Sequence, residues 1–199
     1  MKLLIVTGYN EAFREVGDLC VASLKRYCDL HPGIKYAKWT MPDDYDRKHS
    51  WYKLRVLRHV LPHNDYVLWI DADAMITGSQ DLQDIIKPAT LNIAADHNGI
   101  NHGVVAYKNC PEAFEAILRM EMLYEEFKDH PWFEQAALMT FIDELDVHYQ
   151  PKEVWNAYGP EVTDGGDDTP ETLIMHWPGC DLETRVKAMS EKLKSLPCP

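Results

Sequence analysis

Apolar residues along this chain fall into short branched runs that alternate with longer stretches of helical spacing. Lys2-Leu3-Leu4-Ile5-Val6 is the first such run, and Thr7-Gly8-Tyr9-Asn10 ends it, which predicts a buried strand followed by a turn. Phe13, Val16, Leu19, Cys20, Leu24 and Tyr27 then share a helical face between about Glu11 and Leu30, until His31-Pro32-Gly33 stops the pattern. Ile34 to Thr40 alternates weakly and reads as a second strand. From Ser50, a candidate N-cap, Trp51, Leu54, Leu57 and Leu61 line one side of a helix that Pro62 ends. Val67 to Ile70 is a continuous apolar run of the kind found in a strand covered on both faces. Strand, glycine-containing turn and helix open an α/β fold, in which ligands bind beyond the carboxyl ends of strands. Thr7 to Asn10 is then either a nucleotide-holding turn or an ordinary connection.

Downstream, Gly78 to Lys87 reads as turn and short helix, and Thr90 to Asp96 and Gly103 to Lys108 read as two strands. The connector His97-Asn98-Gly99-Ile100-Asn101-His102 is dense in hydrogen-bonding side chains and is expected to be a loop. Pro111 to about Phe127 and Phe133 to Leu145 have helical spacing, with Glu134 and Gln135 in the first turn of the second helix. An acid there is also what the helix dipole favours. Val147 to Tyr149, Val154-Trp155 and Leu173 to His176 are strand-like, Thr163 to Pro170 is expected to be a mobile loop, and Asp181 to Leu196 a closing helix.

The central run leads directly into Asp71-Ala72-Asp73. If the strand continues, its alternation aims both carboxylates at one side. Two ionised carboxylates on one face repel, and a hard cation held by oxygen ligands resolves that repulsion while leaving positions for a phosphate-bearing substrate. The bland alternative is a pair of loop acids at a strand end. Arg47, Lys48, Lys53, Arg55 and Arg58 form the most basic region of a chain whose net charge is −12. That balance argues against nucleic acid or an anionic membrane surface as partner, and most of those basic residues read as a solvated helix face. A length of 199 residues fits one domain spanning residues 1–199. The first residues suggest neither a signal peptide nor a membrane span. Five scattered cysteines without a Cys-x-x-Cys pair suggest reduced thiols and a cytoplasmic protein.

Four short motifs follow one another: Trp69-Ile-Asp71-Ala-Asp73, Asn101-His-Gly103-Val, Glu134-Gln135-Ala-Ala-Leu138 and His176-Trp-Pro-Gly179. In this order they resemble the GT-A class of metal-dependent, nucleotide-sugar glycosyltransferases. Within it, the chain is most similar to the retaining α-1,6-xylosyl-, galactosyl- and mannosyltransferases, whose Trp-Ala-Lys-Leu segment Trp51-Tyr-Lys53-Leu also resembles. The glycogenin-like family shares several motifs, but Cys180-Asp181-Leu182 does not match its late Lys-Pro-Trp. Glu134 stands where Asp is commoner, and His102 lies inside the Asn-x-Gly.

The resemblance implies one GT-A, Rossmann-like α/β domain with a mixed, mostly parallel central sheet flanked by helices. It implies transfer of a hexose or pentose from a nucleotide-diphosphate sugar, UDP- ahead of GDP-, to an acceptor hydroxyl of a glycan, lipid, protein or small molecule. Asp71, Asp73 and His176 would hold Mn²⁺, with Mg²⁺ as the second choice. Thr7, Gly8, Tyr9, Lys53, Asp71, Asn101, Gly103 and Gly179 would hold the donor. Gln135 would stabilise developing positive charge on the sugar, and Glu134 is the competing catalytic candidate. A catalytically silent nucleotide-sugar-binding protein on the same scaffold and a metal-dependent phosphohydrolase are the readings from other classes.

Overall fold

A computed structural model describes residues 1–42, 44–163 and 165–197. Asp164, within the loop expected over 163–170, and Cys198, one of the five cysteines, lie outside them. The chain runs β1 (Leu3–Tyr9), α1 (Arg14–Leu30), β2 (Lys35–Thr40), α2 (Tyr52–Val60), β3 (Tyr66–Ile70) and β4 (Ala74–Ile76). It continues through α3 (Leu82–Ile85), β5 (Leu91–Asp96), β6 (Gly99–Lys108), α4 (Pro111–Met122), α5 (Tyr124–Phe127) and α6 (Phe133–Met139). The last elements are β7 (Val147–Gln150), α7 (Lys152–Trp155), β8 (Ala157–Tyr158), β9 (Ile174–His176) and α8 (Leu182–Ser195).

Six strands form the central sheet in the order β2-β1-β3-β6-β5-β7, and β6 alone runs against the others. The continuous apolar run of β3 now has its reason. Tyr66, Leu68 and Ile70 pack into a core on one face with Val16, Cys20 and Leu24 of α1. Val67 and Trp69 enter a second core on the other face with Leu54 and Leu57 of α2 and Ile117 of α4. With every residue of β3 buried, a polar substitution on either face would cost core burial. The expected α/β fold with a mixed, mostly parallel sheet flanked by helices is therefore the observed one.

Local corrections follow from packing that short patterns do not encode. Thr7 to Tyr9 belong to β1, not to a turn. Ser50 does not cap α2; a 3-10 turn, His49–Trp51, precedes that helix. Val154-Trp155 ends a short helix, with the Trp155 indole donating to the Val104 carbonyl at 3.1 Å. The helix expected from Phe133 to Leu145 stops at Met139 and resumes as the 3-10 turn Ile142–Glu144. The expected loop over 97–102 shrinks to a turn, because β6 already begins at Gly99. Between Ile93 and Ala94 of β5 the pairing jumps from Val105 to Asn101, so His102, Gly103 and Val104 have no partner on β5, while Val104 stays paired with Ile70 of β3.

Candidate active site

Beyond Ile70 the chain leaves β3 and turns, with the Ala74 amide donating to the Asp71 carbonyl at 3.0 Å. Asp71-Ala72-Asp73 is thus a tight turn rather than an extension of the strand, and strand alternation is not what gathers its carboxylates. The turn and a second, three-stranded sheet, β4-β9-β8, gather them instead. His176 of β9 lies opposite Ala74 of β4, and the Trp177 amide donates to the Asp73 carbonyl at 2.9 Å. One ligand atom from each of Asp71, Asp73 and His176 falls within 4.8 Å of the others. A hard cation with ligands at about 2.0–2.6 Å spans about 4–5 Å between opposite ligands, so these three residues suit one.

Gly103 supplies an independent test of that fit. A Cβ there would stand 2.5 Å from His176 Cε1 and 3.0 Å from both Asp71 Oδ2 and Asn101 Oδ1. The bulge and its glycine keep open the space onto which imidazole and carboxylate converge. Asn156 Oδ1 lies 3.0 Å from His176 Nδ1 and Asp73 Oδ1 lies 3.2 Å from Nε2, so with Nδ1–H given to Asn156 the proton on Nε2 is the one a cation would displace. Arg185 Nη2 approaches the other Asp73 oxygen at 3.1 Å. Burial opposes ionisation of Asp73, but His176 and Arg185 outweigh it and hold the carboxyl below the usual range.

Lys53 organises the floor. Its ammonium lies 3.0 Å from Asp71 Oδ1, 2.9 Å from Glu134 Oε1 and 3.1 Å from the His102 carbonyl, which matches its three N–H donors. Burial works against its charge, and Asp71 and Glu134 more than compensate, raising its pKa above the ordinary lysine range. Glu134 is only 3% exposed. Burial would raise its pKa, yet Lys53 and His102 hold the carboxyl down at about 2. Glu134 is therefore half of a buried ion pair, beyond the dipole acid expected in a first helical turn. His102 bridges Glu134 (Nδ1, 3.3 Å) and the Tyr107 hydroxyl (Nε2, 2.6 Å), and burial pushes its ring below the ordinary histidine range.

These residues line a cleft of about 700 Å³. Gln135 Oε1 accepts from the His102 amide at 3.0 Å, which fixes the carboxamide against the bulge. Asn101 Nδ2 donates to the Tyr158 hydroxyl at 2.7 Å, and that hydroxyl in turn donates to Asp96. Phe133 has φ +44°, a left-handed conformation costly for a bulky residue, immediately before Glu134 and Gln135.

Of the residues singled out from sequence, Gly8, Tyr9, Lys53, Asp71, Asp73, Asn101, Gly103, Glu134, Gln135, His176 and Gly179 all line the cleft. Thr7 does not: it is fully buried beneath it, with Cys20 Sγ 3.7 Å from its hydroxyl. The other basic residues near Lys53 stay outward, and Arg58 pairs with Glu121 at 2.6 Å. Part of the loop expected to be mobile is tied down, Asp167 by Lys152 and the Tyr158 amide, Asp168 by Lys192. Sequence reading missed Arg185, Tyr158, Asp96 and Asn156. Arg185 carried no signal because its helix is recognised by its apolar residues Val186, Met189, Leu193 and Leu196.

The model of the galactosyl transferase GMA12/MNN10 family matches residues 2–95, the stretch containing Lys53, Asp71 and Asp73. None of the curated proteins matches the chain in sequence. Among solved structures, a glycosyltransferase involved in glycosylation of the major capsid of PBCV-1 aligns with TM-score 0.79 at 14% identity, over 96% of this chain and 100% of that one. The galactosyltransferase LgtC, solved with donor and acceptor sugar analogs, aligns with TM-score 0.61 at 15% identity, over 98% and 97% of the two chains. GlyE of Streptococcus pneumoniae TIGR4 aligns with TM-score 0.64 at 16% identity, over 98% of this chain and 62% of that one. Identities this low establish the shared fold. Family signature and fold together make this protein a glycosyltransferase of the GT-A fold, carrying the GMA12/MNN10 galactosyl transferase signature in residues 2–95.

Proposed function

We propose that residues 1–199 act as one domain that moves a hexose or pentose from a UDP-sugar, or less readily a GDP-sugar, to an acceptor hydroxyl. In this reading anomeric configuration is retained, and Asp71, Asp73 and His176 hold Mn²⁺, with Mg²⁺ as a weaker substitute. The observation that carries it is the convergence of those three residues around the space that Gly103 leaves open. Two carboxylates with one imidazole suit Mn²⁺ better than Ca²⁺. A cation in that position supplies neutralisation of the charge that grows on the diphosphate as the sugar–phosphate bond breaks.

The chain's own residues do the rest. Gly8 and Tyr9 at the end of β1 offer the nucleotide a wall, as ligands lie beyond strand carboxyl ends. Lys53 acts as a positioning residue: with its donors spent on protein oxygens, it fixes Asp71 and Glu134 rather than reaching the donor. Gln135, oriented by the His102 amide, faces the sugar and stabilises positive charge at the anomeric carbon. Glu134 is a poor nucleophile, since Oε1 is held by Lys53 and His102 while Oε2 is buried. The acceptor hydroxyl then attacks from the face the diphosphate leaves and passes its proton to the departing phosphate oxygen. Four cysteines that form no disulfide among the described residues suit a cytoplasmic setting, and no helix of the described residues is long and apolar enough to cross a membrane.

Hydrolysis of UDP- and GDP-sugars, followed with and without Mn²⁺, tests this reading. Release of nucleotide that requires Mn²⁺ is expected. Absence of both turnover and metal-dependent nucleotide binding would sink it, and binding without turnover would favour the catalytically silent alternative.

A further inference from the structure

Among the described residues that line the cleft, Lys53 and Arg185 are the two Lys or Arg side chains. Lys53 is 3% exposed and its donors face Asp71, Glu134 and the His102 carbonyl, so it has no N–H left for a ligand. Arg185 is differently placed. It rises from the first turns of α8, its Nε donates to the Trp177 carbonyl at 3.0 Å, and its guanidinium lies 5.6 Å from the Phe13 ring. Its far nitrogen, Nη2, reaches a single carboxylate oxygen, Asp73 Oδ2, at 3.1 Å. A guanidinium has five N–H donors, and these contacts leave most of them uncommitted.

Its two polar contacts respond differently to a ligand. The Trp177 carbonyl is neutral and belongs to the backbone segment that joins β9 to α8, so an arriving cation does not compete with the guanidinium for it as it does for a carboxylate. The Asp73 carboxylate is also one of the three groups gathered around the open space at Gly103. A divalent cation arriving there competes for the same negative charge and repels the guanidinium. A diphosphate arriving with it offers planar pairs of anionic oxygens, to which a guanidinium bonds bidentately.

We infer that Arg185 is an exchange residue for the donor diphosphate: it neutralises Asp73 in the empty cleft and transfers to the diphosphate when a cation takes that carboxylate. This rests on the metal and diphosphate reading of the cleft. Arg185 therefore weakens binding of the cation alone and strengthens binding of the nucleotide once the cation is in place. A merely structural arginine would not give effects of opposite sign.

The test compares wild type with Arg185→Met, which keeps the stem beside Phe13, and Arg185→Lys, which keeps the charge. Two affinities are measured by calorimetry: Mn²⁺ alone, and UDP at saturating Mn²⁺. Arg185→Met is expected to bind Mn²⁺ about three- to tenfold more tightly and UDP about tenfold or more weakly, the scale of losing charge-assisted bonds. Arg185→Lys should fall between wild type and Arg185→Met in UDP affinity, and it carries the test if Arg185→Met does not fold. Unchanged affinities, or a parallel loss of both, would overturn the exchange role. Wild-type protein that binds neither Mn²⁺ nor UDP would overturn the underlying reading as well, so the two failures are distinguishable.

Discussion

Replacing Lys53 with Met probes the buried charges most sharply. The substitution keeps the length of the stem and removes the one ammonium that lies 3.0 Å from Asp71 and 2.9 Å from Glu134. Removing one partner of a buried ion pair costs about 3–5 kcal/mol, because the other charge stays behind without compensation. The carboxyl gives a second route to the magnitude. Holding Glu134 at about 2 against its ordinary 4.5 corresponds to about 3 kcal/mol of stability near neutral pH. Because this pKa is depressed on folding, wild type holds that contribution above about pH 4.5 and loses it as pH falls toward 2. In Lys53→Met burial dominates and raises the Glu134 pKa, so the carboxyl takes up a proton more readily on folding. The deficit should therefore shrink on acidification. Urea unfolding at pH 7 and pH 3.5 measures it, and Lys53→Met combined with Glu134→Gln should recover part of the loss at pH 7. A deficit below about 1 kcal/mol at pH 7, or one that does not narrow at pH 3.5, refutes the reasoning, since an exposed pair is worth no more than that.

Other substitutions separate the proposed metal ligands from their supports. Gly103→Ala puts a methyl 2.5 Å from His176 Cε1, and Mn²⁺ affinity by calorimetry should fall while the circular-dichroism spectrum stays that of the wild type. Asn156→Leu removes the partner of His176 Nδ1 and should lower Mn²⁺ affinity about 10–100-fold, the usual loss for a residue orienting a ligand. Gly17→Ala drives a Cβ to 2.3 Å from the Tyr9 ring and should cost about 1–3 kcal/mol in urea unfolding, with a rise in nucleotide KM as Tyr9 is displaced.

The parts of this fold that sequence made legible are those with a strong period and deep burial. The apolar run of β3 and the stripes of α1 and α8 read correctly because the core needs the same residues that make the pattern. Val154-Trp155 misled because two apolar residues have no period, and the Trp155 indole bond to Val104 sets their place. Asp71, Asp73 and His176 were found by motif, although strand alternation was the wrong mechanism for gathering the two carboxylates. Their meeting depends on β9 pairing with β4, a long-range contact with no local trace. The bulge around Gly103 was equally hidden, since a jump in register has no local composition of its own. Phe133 is the same kind of case: nothing local announces its positive φ.

The most direct test of the central claim is calorimetric titration of UDP into wild type and Asp73→Asn, each with and without Mn²⁺. Asn keeps the shape of Asp73 and removes the charge that His176 and Arg185 face. Wild type should bind UDP much more tightly with Mn²⁺ than without it, and Asp73→Asn should lose that enhancement while keeping its fold. Equal UDP affinity with and without Mn²⁺ in wild type, or an undiminished Mn²⁺ effect in Asp73→Asn, would contradict the account.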